Sequence, residues 1–199
     1  PVPAIGQRIA VAHDAAFGFA YEHWLATWRG LGVELRPFSP LAGEGPDPNA
    51  DAVFLPGGYP ELHAGRIAAC SAFIEGLRNA AAAGTFIYGE CGGFMTLGET
   101  LIDADGVVHA MAGLLPVSTS FATPRLTLGY RQVRLAAASV LGERNAPLRG
   151  HEFHFARVER ESGEKAFSEC TSAAGVSLGP AGCARGNTVG SFIHLIDRV

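Results

Sequence analysis

Charge is scarce in this chain, and none of it is gathered. Charged residues are 17% of the 199, with Lys and Arg at 15 against Asp and Glu at 19, a formal net charge of −4. That balance leaves no footprint for nucleic acid or an anionic membrane surface. Long apolar runs are missing too, so no segment reads as a bilayer span. The start, Pro1-Val2-Pro3-Ala4-Ile5-Gly6, has neither the basic end nor the apolar core of a signal peptide, and reads as a domain boundary or linker. Cysteine is limited to Cys70, Cys91, Cys170 and Cys183, with no C-x-x-C pair. That spacing suggests no zinc and demands no disulfide, as suits a cytoplasmic protein. No G-x-x-x-x-G-K-[ST] phosphate loop occurs either.

What is present is enough chain for one large domain or two small ones, with a sizeable core. One stretch organises it: Thr85-Phe86-Ile87-Tyr88-Gly89-Glu90-Cys91-Gly92-Gly93-Phe94-Met95. Thr85 to Tyr88 are β-branched or aromatic, as in a buried strand. Phe94, Met95, Leu97 and Leu101 are spaced for one face of a helix. Between them, Gly89 to Gly93 is the cysteine form of a nucleophile elbow, G-x-C-x-G. Glycines relieve the collisions that a tight strand-to-helix turn imposes. The helix N-terminus is expected to favour Cys91 as thiolate. A nucleophile also needs a base from elsewhere in the chain.

In chain order, Arg8-Ile9-Ala10-Val11-Ala12 predicts a strand and residues 17–29 a helix, with Phe17, Tyr21, Trp24, Leu25 and Trp28 inward. A second strand covers 33–38, a Pro- and Gly-rich loop 39–50, and a third strand 51–55. The third strand enters Pro56-Gly57-Gly58-Tyr59-Pro60-Glu61. A glycine pair there lets backbone N–H groups face a ligand. Beside the elbow it becomes half of an oxyanion hole, with one donor from Gly58 N–H and one from Gly92 N–H. A helix over 71–83 precedes the elbow strand. This alternation predicts an α/β fold with a mostly parallel central sheet and helices on both faces.

The second half changes character. Residues 107–114, 128–135, 149–158 and 189–193 read as strands, which predicts an antiparallel extension. His151-Glu152-Phe153-His154 is not H-E-x-x-H, and on a strand residues i and i+3 face opposite sides, so no metal is expected. His194 ends a strand in Ser191-Phe192-Ile193-His194-Leu195, from which its imidazole can turn towards an elbow cysteine.

Several of these motifs, in this order, resemble the glutamine amidotransferase domain of the CobB/CobQ type, a branch of the class I (triad-type) glutaminases. The resemblance is carried by Ala16-Phe17 with Tyr21, Phe38-Ser39-Pro40-Leu41, Leu55 to Glu61, Tyr88 to Gly93, Leu128-Gly129-Tyr130-Arg131, Arg149 to His154, and Ser191 to His194. It covers essentially the whole chain. The Arg149-Gly150-His151-Glu152-Phe153-His154 stretch favours the cobyrinic or hydrogenobyrinic acid a,c-diamide synthases over cobyric acid synthases.

The resemblance implies Cys91 as nucleophile and His194 as its activator. It implies glutamine as substrate and an N-terminal ATP-binding synthetase domain, absent from this chain, that holds ATP and magnesium and the corrinoid acceptor. Residues 7–199 then form the glutaminase domain, needing no cofactor of its own, and residues 1–6 a linker remnant. A homodimer is left open. Arg131 is the candidate partner for the glutamine carboxylate and Glu61 for its ammonium. One position departs: class I glutaminases generally have Glu two residues after the histidine, and here that residue is Ile196. Asp197, Glu152 and Glu22 are candidates for a third group, and a Cys91–His194 dyad is the other choice. The chain alone is expected to hydrolyse glutamine poorly, because the glycine turn can rest with a carbonyl in the oxyanion position until the synthetase domain docks. Two other classes remain. One is a different elbow-cysteine hydrolase, a peptidase or DJ-1-like deglycase; the other is a non-catalytic regulatory module.

Overall fold

The structure, a computed structural model, describes residues 2–199. Pro1 lies outside the described residues, so the expected linker is seen over residues 2–6. There Val2 and Ile5 are buried against the domain.

The first half runs β1 (Arg8–Ala12), α1 (Glu22–Gly30), β2 (Glu34–Phe38), β3 (Ala52–Leu55), α2 (Ala64–Ala69), α3 (Ser71–Ala82), β4 (Phe86–Glu90) and α4 (Gly92–Leu97). The second half is strand after strand: β5 (Thr100–Ile102), β6 (Val108–Ala110), β7 (Val117–Ser120), β8 (Thr127–Leu135), β9 (Pro147–His154), β10 (Arg157–Glu161), β11 (Phe167–Ser172), β12 (Ser177–Ala181), β13 (Cys183–Arg185), β14 (Thr188–Ser191) and β15 (Ile193–Arg198).

The central sheet has the order β13-β14-β4-β3-β1-β2 and is parallel except at the β13–β14 edge. Its inner strands β1 and β3 are apolar on both faces, as a covered parallel sheet requires. In β1, Ala10 and Ala12 join one core while Ile9 and Val11 join the other. The first core takes α3 through Phe73, Ile74 and Leu77, and also Leu101 and Val117 of the four-stranded sheet β10-β7-β5-β6. The second core takes α1 through Trp24 and Trp28, and Val133, Leu148, Ile193 and Leu195 of the five-stranded sheet β12-β11-β8-β9-β15. Trp24 stacks on Phe54 at 5.6 Å and Phe54 on Tyr88 at 5.9 Å, so α1 is clamped to β3 and β4. Truncating one such buried aromatic costs about 3–5 kcal/mol.

The α/β class is as expected; the stretches expected as strands over 149–158 and 189–193 each split in two, which puts His194 inside β15, the one expected over 107–114 shortens to β6, and three further details differ. The antiparallel half adds only β13 to the central sheet as an antiparallel strand; most of its strands form two separate sheets. The first helix begins at Glu22 rather than Phe17. Residues 17–21 are held out of it because Phe19 N–H bonds the Gly57 carbonyl at 2.9 Å, tying this segment to the glycine turn. The elbow helix ends at Leu97. Glu99 N–H bonds the Val117 carbonyl at 2.7 Å, which draws Leu101 into β5. No helix among the described residues is long and apolar enough to cross a membrane.

Candidate active site

Cys91 sits between β4 and α4 with φ 45° and ψ −101°, a conformation that L-residues rarely adopt. The surroundings enforce it. Cys91 N–H bonds the Ser191 carbonyl of β14 at 2.8 Å, and its own carbonyl accepts from Met95 N–H at 3.0 Å to start α4. Gly93 must lack a side chain, since a Cβ there would collide with the Leu55 carbonyl of β3. The elbow read in the sequence is therefore the observed turn, at the carboxyl ends of the parallel strands where α/β sheets place their ligands.

Gly58 and Gly92 meet beside Cys91: a Cβ on Gly92 would stand 3.0 Å from the Gly58 nitrogen, and the backbone N–H groups of both residues lower the Cys91 thiol. The expected pair of donors thus converges on one point. The Gly57 carbonyl is held by Phe19 N–H, so the turn already has its N–H inward. The expectation of a resting turn with a carbonyl inward is not met.

The expected thiolate is not met either. Burial pushes the Cys91 thiol up to about 12, against the opposing pull of the Gly92 and Gly58 N–H groups; Glu61 and Glu90 push it further up. Six residues of helix supply too little positive field to reverse this. The sulfur points to the Phe153 carbonyl at 3.9 Å. Among the described residues no hydrogen bond joins it to His194.

His194 is 3% exposed and confined on two sides. Its Cε1 occupies the place that a Cβ on Gly57 would need, and its ring stacks on His151 with centroids 4.9 Å apart. His151 Nδ1 is in turn 2.8 Å from the Tyr21 hydroxyl. Burial, then His151 and His154, push His194 down to about 4. The ring is neutral at neutral pH, the form a base requires. Cys91, Gly58, Gly92 and His194 therefore meet around the elbow, joined through Gly57.

Glu61 and Arg131 part company. Glu61 lies just past the turn, its Oε2 buried with no hydrogen-bond partner; burial raises its carboxyl, and its charge is felt at Cys91. Arg131 is placed elsewhere. Along β8 and β9, Tyr130 pairs with His151 while Arg131 pairs with Gly150, so Arg131 projects from the face opposite to His151 and His194. Its Nε is 2.5 Å from Glu152 Oε2, and its Nη1 donates to the Tyr130 carbonyl. The cleft it lines, about 390 Å³, is walled by Arg149, Thr171, Ser172 and Asp197 and excludes Cys91. The assignment of Arg131 to the glutamine carboxylate is withdrawn on that geometry.

None of the three named candidates stands by the histidine as a third group. Glu22 pairs with Arg29 at the surface, Glu152 with Arg131, and Asp197 lines the Arg131 cleft. The carboxylate facing His194 is Glu90, whose Oε2 lies 3.7 Å from Nδ1. Sequence reasoning passed over it as part of the elbow. The available signal was a carboxylate in a buried strand, which requires partners.

The parallel sheet, the strained elbow cysteine and the paired N–H donors define the class: the fold is that of the class I glutamine amidotransferases. Solved structures with this fold include PurLQS from Thermotoga maritima, at TM-score 0.62 and 17% identity over 95% of this chain and 87% of that one. A glutamine amidotransferase from the same organism aligns at TM-score 0.59 and 16% identity over 94% of this chain and 75% of its own. The particular family follows from sequence. Residues 8–198 match the CobB/CobQ-like glutamine amidotransferase domain, and the chain belongs to that family. It is 52% identical to the hydrogenobyrinate a,c-diamide synthase of Sinorhizobium sp and 51% to that of Brucella anthropi, in each case over 97% of this chain. The chain spans 44% of the length of those relatives.

Proposed function

We propose that this chain is the glutaminase unit of an a,c-diamide synthase, releasing ammonia from glutamine through a thioester on Cys91. The observation that carries the reading is the strained elbow Cys91 with the Gly58 nitrogen packed against Gly92 on one side and a neutral His194 packed against Gly57 of the same turn. In this reading the glutamine ammonium is held by the unpartnered oxygen of Glu61. His194 takes the thiol proton and the sulfur attacks the side-chain amide carbon. The oxyanion forms between the two N–H groups. His194 returns the proton to the departing nitrogen, and ammonia leaves as the C–N bond breaks. Water, deprotonated by His194, then opens the thioester to give glutamate and the free thiol.

The acceptor lies outside these residues. Relatives named hydrogenobyrinate a,c-diamide synthase are more than twice as long as this chain, which supports a partner domain where ATP and magnesium activate corrin carboxylates for the ammonia. Exposed aromatic pairs, Phe19 with Tyr59 and Phe153 with Phe155, come from the segments that touch Gly57 and Cys91 and support that face as the one for the partner domain. Docking there completes a site whose thiol is still protonated and not yet bonded to its base. A cytoplasmic setting suits such chemistry.

The test is ammonia release from glutamine, by the chain alone and with an ATP-dependent partner domain and hydrogenobyrinic acid. A slow rate alone and a faster rate with the partner are expected. Activity on a peptide or a glycated amine, with none on glutamine, would favour the other elbow-cysteine hydrolases.

A further inference from the structure

A histidine that activates a thiol needs its far nitrogen fixed, so that the near one is bare and aimed at the sulfur. The position two residues after His194 is Ile196, which has no polar atom for that task. The structure supplies a carboxylate from another strand. Glu90 ends β4, immediately before the nucleophile, and is 1% exposed. Its Oε1 is fully engaged, accepting the Tyr88 hydroxyl at 3.0 Å and Leu195 N–H at 2.9 Å. Those two bonds orient the carboxyl group and leave Oε2 facing His194 Nδ1 at 3.7 Å. The Leu195 bond also ties the backbone next to His194 to the elbow strand. One side chain thus bonds the strand that carries the imidazole and faces the Nδ1 of that imidazole.

We propose that Glu90 is the positioning residue of this site, setting the tautomer of His194 from the residue before the nucleophile. It takes the place of the carboxylate that the resemblance puts two residues after the histidine. The inference rests on the proposed roles of Cys91 and His194. With Glu90 ionised, Nδ1 keeps its proton towards Oε2 and Nε2 is free to take the thiol proton. When that proton arrives, the imidazolium and the carboxylate pair, which offsets the cost of a buried charge.

The neighbouring groups set the pH range. Glu90 bonds Tyr88 on its own strand, adjoins Cys91 at the elbow and faces His194 on β15, and its charge is felt by Tyr21 ahead of α1; His194 stacks on His151 of β9 and feels the charge of His154 on the other face of that strand. Burial raises the Glu90 carboxyl to about 8. The competent carboxylate therefore forms as pH rises through that value.

Glu90→Gln tests this. The amide oxygen keeps the Tyr88 and Leu195 bonds, while the amide N–H now donates to Nδ1 and forces the unproductive tautomer. Expected is a loss of about 10²–10⁴-fold in kcat for glutamine hydrolysis with KM changed only a few fold. In the wild type, alkylation of Cys91 is expected to rise as pH passes about 8, and the variant is expected to lose that rise. A Glu90→Gln chain within a few fold of wild type in kcat, with that rise intact, overturns the proposal. A second readout needs no variant to fold. In the full wild-type chain at pH 9, ¹⁵N ring shifts are expected to show His194 protonated at Nδ1 and bare at Nε2; the reverse overturns the proposal. The ring shifts need no turnover, so absence of ammonia release would sink the proposed function while leaving this question separately decided.

Discussion

The two halves of the molecule assemble the site by different means. The parallel half supplies the nucleophile and both N–H donors from segments next to turns, Pro56 to Glu61 and Gly89 to Gly93, whose spacing in sequence already fixes their chemistry. The antiparallel half supplies His194 through strand pairing, β15 against β9, and the same pairing decides what stays out. Arg131 and Tyr130 are adjacent in sequence and face opposite ways. Turn chemistry is local and transfers to function almost directly. Strand chemistry depends on register, and one residue of register changes which side chains reach the site.

The largest expected effect is at the elbow. Cys91→Ala should abolish ammonia release from glutamine and leave the circular dichroism spectrum and cooperative unfolding intact, because alanine fills less of the same buried space. Glutamine turnover by that variant would remove the basis of the comparison.

Within the site the halves touch at Gly57, and Gly57→Ala is the next largest effect. A Cβ there takes the place of His194 Cε1 and moves the imidazole. A loss of about 10²-fold in kcat is expected, because a displacement of about 1 Å can cost that much. An unchanged kcat would show that the ring does not act from its observed position. The donors need a gentler probe. Any side chain on Gly58 collides with the Ala16 carbonyl, so Gly58→Pro would distort the turn while removing the N–H. An amide-to-ester replacement at Gly58 removes the N–H alone, and a fall of about 10²–10³ in kcat is expected. A rise in KM with kcat unchanged would make the turn a binding element only.

Glu61 and Arg131 sharpen the contrast by steady-state kinetics. Glu61→Gln should raise KM for glutamine about tenfold with little change in kcat, the loss of one charge-assisted contact. Arg131→Ala should leave KM within about twofold and instead lower stability by about 1–3 kcal/mol, since it strips Glu152 of its partner. Reversed outcomes would return the substrate carboxylate to Arg131.

Much of this was legible in the sequence. The elbow, the glycine turn and the helix over 71–82 follow from local rules of spacing and steric freedom. What was not legible required a third dimension. The Phe17–Tyr21 segment has helical spacing, and tertiary bonds such as Phe19 N–H to the Gly57 carbonyl hold it out of α1. The thiolate expected from the helix N-terminus loses to burial, which a sequence does not state. Glu90 is invisible as a partner of His194 because 104 positions of chain separate the two, and β14 must lie beside β4 before they meet.

The smallest effect is on stability against pH. The native Glu90 carboxyl keeps a proton that the unfolded chain has released, so its contribution falls as pH rises from the ordinary carboxylate range to about 8. His194, lowered to about 4, has the opposite slope, lost as pH falls from its ordinary value through 4. Between about 6.5 and 8 only the Glu90 slope remains of these two. Denaturant titrations should show stability declining across that window, and a flatter line in Glu90→Gln.

The central claim is that Cys91 is a nucleophile shaped for glutamine, and one measurement meets it directly. The chain, alone and with an ATP-dependent partner domain, is treated with a glutamine-like diazoketone and its labelled peptides are mapped. Cys70, Cys170 and Cys183, all free, serve as internal controls. The account predicts a single adduct on Cys91, slowed by free glutamine and accelerated by the partner domain. Label spread over the other cysteines, or a Cys91 rate that glutamine does not slow, would contradict it.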